Sequence, residues 1–223
     1  FLQAGVVSGL NRELPYFLGR GEKDHAHALT SCALSWSLAA GLVAGAGMLA
    51  WTGVEAARGR WQVAEAWAAY TLPVALMVPV LYFKATFRTN TEFVKLGITQ
   101  FVMALVSFAL LALVWAIRYE GQCVRLAVAY AAEAALLWWW RPIRVRPRFR
   151  WTHFRDLLKI GLPIFAVAYF YSAWRSLDCL LVVRTLGEEQ LGFYSLTVMT
   201  VSAGMSVTLA VTQVVYPRMT HMY

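Results

Sequence analysis

Four charged side chains lie inside long apolar stretches of this sequence, and they are its best candidates for chemistry. Arg175 and Asp178 are three residues apart, so on a helix they share a face and can pair. Glu133 lies in the stretch AYAAEAALL, and Arg125 precedes it by eight residues. Charged groups at membrane depth usually face a bundle interior or a water-filled cavity. An arginine there could hold an anion, and a carboxylate could exchange a proton.

Each of these side chains also has a purely structural interpretation. Arg175 and Asp178 could form an ion pair that holds helices together. Glu133 could bond a Ser, Thr or Arg of a neighbouring helix, and the small residues around it would let that helix come close. Arg125 is expected near the outer edge of its helix, where its long side chain can reach water.

The elements that position these residues follow from composition. The chain has 223 residues, of which 60% are hydrophobic and 14% are charged, whereas soluble domains carry about 25% charged residues. Six apolar segments have about the length, roughly 20 residues, that spans a bilayer. They are 31–52, 67–83, 96–117, 123–140, 157–183 and 191–216. Their length and uniform apolarity predict helices, because a helix satisfies its own backbone hydrogen bonds in lipid. The sequence therefore predicts an all-α polytopic membrane protein.

Lys and Arg in the connecting segments predict the orientation, because cytoplasmic loops are enriched in both. Segments 1–30, 84–95, 141–156 and 217–223 together carry thirteen, and segments 53–66, 118–122 and 184–190 together carry four. The first set is therefore expected in the cytoplasm and the chain in the cell inner (plasma) membrane.

The densest basic segment is RPIRVRPRFRWTHFRD, residues 141–156. We expect it to contact anionic lipid headgroups, to which each Lys or Arg contributes about 1 kcal/mol. A role in steering an anionic substrate stays open. Nucleic acid is disfavoured, because a segment held between two spans cannot wrap a polymer.

Signals of enzymatic chemistry are weak in this sequence. It has no phosphate-cradling glycine loop and no His/Cys metal spacing, and Cys32, Cys123 and Cys179 are far apart within apolar runs. We expect no enzyme, no cofactor and no metal. The first residue is Phe1 and the segment that follows it is apolar, so we expect a piece of a longer protein.

Four motifs in order resemble the polysaccharide-biosynthesis flippases of the multidrug/oligosaccharidyl-lipid/polysaccharide (MOP) exporter superfamily, including O-antigen flippases. They are GLNRELPYFLGRGE, LLKIGLPIF, SLDCLLVVRTLGEEQLGFYSLTVM and TQVVYPRM. The usual Asp-Arg pair of that family is Asp178-Cys179 here, which leaves Arg175 or Arg184 to replace the missing arginine.

The resemblance implies a piece of a twelve-helix, two-lobed transporter. Residues 1–140 would be the end of span 2 and spans 3–6, residues 141–156 the cytoplasmic loop between the lobes, and residues 157–223 spans 7–8. The implied function is alternating-access export of a lipid-linked oligosaccharide. A multidrug or cation exporter of the same superfamily and a membrane-embedded glycan-polymerising enzyme are the alternatives.

Within this resemblance, the charged residues receive expected roles. Arg175, Asp178 and Arg125 would bind the substrate, and Glu133 would couple transport to an H⁺ or Na⁺ gradient. Arg12, Glu13 and Arg218 would form a cytoplasmic clasp, or a gate that breaks when the cavity opens inward.

Overall fold

The structure is a computed structural model that describes residues 3–222, except for the side chains at 175, 188, 207, 213, 214 and 216–222. Seven helices make up nearly all of this range: α1 (Val6–Gly19), α2 (Lys23–Ala57), α3 (Trp61–Thr89), α4 (Phe93–Ala109), α5 (Leu111–Trp139), α6 (Trp151–Leu186) and α7 (Glu188–Met222). The described residues contain no strand, so the predicted all-α class is confirmed.

The polar segment that precedes the first predicted span is helical, which corrects the expectation of a loop over residues 1–30. Helix α1 contains Pro15, and only residues 20–22 separate it from α2. Gly21 has a φ of 76°, a conformation that favours glycine, and it lies in the turn between the two helices. Leu10, Leu14 and Pro15 are buried. Helix α1 is therefore part of the core.

Helices α2 and α3 form a long antiparallel hairpin. Gly41 and Gly45 of α2 both face Ala75 of α3, and a Cβ atom at Gly41 would collide with the Ala75 carbonyl. The G-x-x-x-G pattern therefore gives the close helix contact that such patterns typically allow. Helix α3 runs through Pro73 and Pro79 as far as Thr89, so the predicted loop 84–95 is reduced to Asn90–Glu92.

The predicted third and fourth spans are one broken unit rather than two straight helices. Helices α4 and α5 meet at Leu110 with a bend of 70°, and Arg118 inside α5 has non-helical backbone angles. Within the described residues, four helices are long and apolar enough to cross a membrane, or five if this pair counts as one span. Length and composition thus support four or five of the six predicted spans among these residues. Charged residues 118, 120, 125 and 133 interrupt the apolar character of α5.

Residues 140–150 form an irregular connector that crosses from α5 to α6 along the start of α2. Its backbone accepts hydrogen bonds from the Ser31 hydroxyl at Arg146 and from the Cys32 thiol at Arg150. Helix α6 then packs antiparallel to α1, with Gly161 against Gly5. The apolar side chains of α6 beyond this contact, and those described in α7, are mostly exposed.

Candidate functional site

A polar cleft of about 250 Å³ lies between α4 and α5. Its lining consists of Met103, Ser107, Arg125, Leu126, Ala129, Tyr130 and Glu133. Residues 125, 129 and 133 recur every four positions, so they follow one face of α5. The structure therefore brings two of the predicted site residues, Arg125 and Glu133, to one cleft.

Glu133 forms an ion pair with Lys84 of α3. The Lys84 Nζ atom lies 2.7 Å from Glu133 Oε1, and the two side chains are only 20% and 15% exposed. The carboxylate is therefore neither isolated nor bonded to a Ser, Thr or Arg, the two situations considered from sequence. A short, largely buried pair of this kind fixes α3 against α5 and sets the charge at the end of the cleft.

Lys84 is the site residue that sequence reasoning missed. Its charge predicts a position in the cytoplasmic loop 84–95, but Lys84 lies in the last third of α3. The available signal is its immediate surroundings, because Tyr82, Phe83, Ala85 and Phe87 are all buried core residues. An apolar run that continues on both sides of a lysine indicates that the helix continues through it.

Arg125 is a partly buried residue of this cleft. Its Nε atom is buried and has no hydrogen-bond partner among the described residues. A guanidinium group has five N–H donors and no acceptor, so its unsatisfied donor can bind an oxyanion or a hydroxyl group. The expectation that the end of this side chain reaches water stays a prediction.

The side chains of the cleft can bind a polar, anionic group. Lys84 neutralises Glu133, which leaves the positive charge of Arg125 in the cleft and favours an anion. Ser107 and Tyr130 add hydroxyl groups that can donate and accept hydrogen bonds, as a sugar requires. Among the described residues, no group of three His, Cys, Asp or Glu side chains could hold a metal ion.

Asp178, another predicted substrate-binding residue, is not part of the lining of this cleft. Asp178 is exposed on α6. The side chains of Arg175 and Arg218 lie outside the described residues, so the predicted Arg175–Asp178 pair and the role of Arg218 stay predictions.

Arg12 and Glu13 lie on α1, where Arg12 is exposed and Glu13 is partly buried. Loss of water around Glu13 raises the pKa of its carboxyl group above 4.5, and nearby Asp156 acts in the same direction. Arg12 and His25 oppose this effect. The surroundings of Glu13 thus come from α1, α2 and α6, but the gate or clasp itself stays a prediction.

A second charged cluster lies at the turn between α2 and α3. The Glu55 carboxylate is nearly fully buried and bonds Arg60 at 2.6 Å and Arg58 at 3.3 Å. The arginines follow α2 directly, so the cluster is a local clamp that closes the hairpin. We assign it a structural role.

A comparison with protein families identifies a match over almost the whole chain. The family model described as "Polysaccharide biosynthesis protein" matches residues 22–223. This range includes α2 to α7 and every residue of the polar cleft. The search of curated proteins and the search of solved structures gave no significant match.

Proposed function

The chain belongs to the polysaccharide biosynthesis protein family, and from this premise we propose that it moves a lipid-linked oligosaccharide across the membrane. Such a substrate combines a sugar and a phosphate, which cannot cross hydrocarbon unaided, with a lipid tail that remains in it. A transporter must therefore offer a polar surface between apolar helices. The cleft between α4 and α5 is a surface of this type.

The observation that carries the proposal is the composition of this cleft. Arg125 contributes an unsatisfied guanidinium donor, and Ser107 and Tyr130 contribute hydroxyl groups within the same cavity. Arginine binds phosphate oxygens through two parallel hydrogen bonds, and hydroxyl groups match those of a sugar. A volume of about 250 Å³ is smaller than a ligand pocket for a whole oligosaccharide. We therefore assign it to the phosphate and the first sugar.

The Glu133–Lys84 pair is the proposed coupling element. Its two groups join α3 to α5, and Glu133 lines the cleft. A proton or Na⁺ that binds the carboxylate would compete with Lys84, and release of Lys84 would loosen α3 from α5. Movement between two such packings is the basis of alternating access.

Complementation of a strain that lacks its own surface-polysaccharide flippase tests the proposal. The full-length protein should restore surface glycan. Arg125→Ala should lower the restored amount at least tenfold, because a charge-assisted hydrogen bond contributes about 1.5–3 kcal/mol. Glu133→Gln should remove the response of transport to an imposed ion gradient. Both measurements require equal amounts of protein in the membrane.

Matched controls come from an exposed ion pair and an exposed arginine. Lys95 and Glu92 form a surface ion pair at 3.0 Å. Glu92→Gln therefore removes a paired carboxylate outside the cleft and is the control for Glu133→Gln. Arg20→Ala removes an exposed arginine in the turn after α1 and is the control for Arg125→Ala. If cells gain resistance to cationic drugs but no surface glycan, the exporter alternative replaces the proposal. If both cleft variants act as wild type, their proposed roles are wrong.

A further inference from the structure

A second polar cavity of about 360 Å³ lies between the first turns of α2 and the connector 140–150. We call it the basic groove, and its lining consists of Asp24, His27, Ala28, Ser31, Val145, Arg146, Arg148 and Arg150. Three guanidinium groups face the single carboxylate of Asp24, which leaves a net charge of about +2. Within the described part of the chain, none of these arginine side chains forms an ion pair.

The connector is held in place by its backbone, which leaves its charged side chains available. Ser31 donates a hydrogen bond to the Arg146 carbonyl at 2.5 Å, and the Cys32 thiol contacts the Arg150 carbonyl at 3.5 Å. Val145 packs against the core, whereas Arg146, Arg148 and Arg150 are exposed. The arginines occupy alternate positions, so neighbouring ones are at most about 7 Å apart along the chain. The groove is therefore a fixed row of cations.

The length of α2 places this groove at the membrane surface. Helix α2 has 35 residues, which corresponds to about 52 Å, and the hydrocarbon core is about 30 Å thick. If the span is centred, each end extends about 11 Å beyond the hydrocarbon. Ser31 lies about 12 Å from the start of the helix. The groove thus lies at the depth of lipid phosphates.

Exposed aromatic residues beside the groove support this depth. Trp139, Phe149 and Trp151 are 78%, 51% and 67% exposed. Tryptophan prefers the headgroup layer, where its ring is apolar and its N–H group can reach water. These rings therefore match the level that the helix length gives for the arginines.

We propose that the basic groove binds the phosphate of an anionic phospholipid headgroup. Arginine forks fit phosphate oxygens, and basic pockets beside membrane helices are typical sites for such headgroups. The groove is separate from the cleft between α4 and α5. The inference rests on the membrane fold and the groove, and it does not depend on what the protein transports.

Titration of phosphatidylglycerol into the purified full-length protein, followed by its thermal unfolding midpoint, tests this proposal. The lipid should raise the midpoint and saturate, whereas phosphatidylcholine should not. The triple variant Arg146→Gln/Arg148→Gln/Arg150→Gln should bind phosphatidylglycerol about a hundredfold more weakly, since each arginine contributes about 1 kcal/mol. Lys95→Gln/Lys159→Gln/Arg184→Gln removes the same charge from exposed positions of α4 and α6 and should bind like wild type.

Two further measurements keep the result decisive if the triple variant fails to fold. Ser31→Ala leaves the charge unchanged but removes the hydrogen bond that positions Arg146, so it should weaken lipid binding severalfold. Inorganic phosphate alone should not reproduce the shift. Equal losses in both triple variants would show a general surface charge and overturn the proposal. A full shift with inorganic phosphate would overturn the lipid assignment, and no shift with phosphatidylglycerol would exclude the site.

Discussion

At the residue scale, the pair of Lys84 and Glu133 combines stability with a proposed function. A largely buried ion pair costs desolvation, which its own attraction and hydrogen bonds must offset. Removing one partner leaves the other uncompensated, whereas removing both also removes the desolvation cost. The pair therefore stabilises the packing of α3 against α5 only while it is intact, which is the property that a switch requires.

A double-mutant cycle measures this property. Lys84→Met and Glu133→Gln should each lower the free energy of unfolding, and the double variant should recover part of the loss. We expect a coupling energy of about 1–2 kcal/mol, the upper part of the range for polar pairs between membrane helices. Thermal unfolding in one detergent provides the measurement. The exposed Glu92–Lys95 pair is the control, and its coupling should stay below about 0.5 kcal/mol. Equal coupling in both pairs would contradict the importance of burial.

Glu13 gives a prediction about pH, because its surroundings favour the protonated form. A carboxyl group whose pKa is raised by folding stabilises the protein below its ordinary pKa, and this contribution is lost as pH rises through the folded value. Glu13→Gln should therefore be more stable than wild type at about pH 7.5. The difference should stay below about 1 kcal/mol, because Glu13 is only partly buried.

The stability gain of Glu13→Gln should shrink as pH falls toward 4.5, the ordinary pKa of this carboxyl group. His25 acts on Glu13 from α2, and Arg12 and Asp156 act on it from α1 and α6. The comparison is therefore made in a His25→Asn background. Thermal midpoints at several pH values would contradict the prediction if the difference grew on acidification.

At the element scale, glycine positions decide how closely the helices pack. Gly41 lies against the Ala75 carbonyl, whereas a Cβ atom at Gly47, on the same helix, would meet nothing within 4 Å. Gly41→Ala should therefore force α2 from α3 and cost about 1–3 kcal/mol. Gly47→Ala should be neutral or slightly stabilising, because alanine favours helix more than glycine does. Thermal unfolding of both variants is the measurement, and equal midpoints would rule out the close contact.

The sequence predicted the helices better than their ends. Apolar runs identify α2, α3, α6 and α7, because a helix that spans lipid needs a continuous apolar surface. The same rule does not identify α1, because this helix has a buried face but many polar residues. It also ends α3 too early, because the charge of Lys84 predicts a loop where the helix continues to Thr89. The bend at Leu110 has no signal in residue type, since leucine favours a helix. Tertiary packing determines such breaks.

The candidate site was predictable in part for the same reason. Arg125 and Glu133 stand out as charges in an apolar run, and helical spacing places both on one face of α5. Their partners come from other helices, and one sequence without known contacts does not identify Lys84 or Ser107 as those partners. Gly5 and Gly161 show the same limit. Only the packing of α1 against α6 shows that these two glycines are in contact.

At the scale of the whole molecule, charge is divided between the two ends of the bundle. One end has the turn between α1 and α2, the end of α3 and the connector 140–150. The other end has the α2–α3 turn and the kink at Arg118. Arg118 lines one cavity there together with Gln62 and Glu65. Arg58 and Arg60 of this second end form ion pairs with Glu55, whereas the arginines of the basic groove form none among the described residues. Uncompensated positive charge therefore collects at the first end.

This division predicts the orientation of the bundle. Because cytoplasmic segments retain excess Lys and Arg, the connector should face the cytoplasm and the α2–α3 turn the opposite side. The test uses single cysteines at Arg148→Cys and Gly59→Cys in a chain whose Cys32, Cys123 and Cys179 are replaced by Ala. In intact cells, a membrane-impermeant thiol reagent should label position 59 and leave position 148 unlabelled until the membrane is opened. Labelling of position 148 from outside would reverse the orientation, and with it the side on which the basic groove meets lipid.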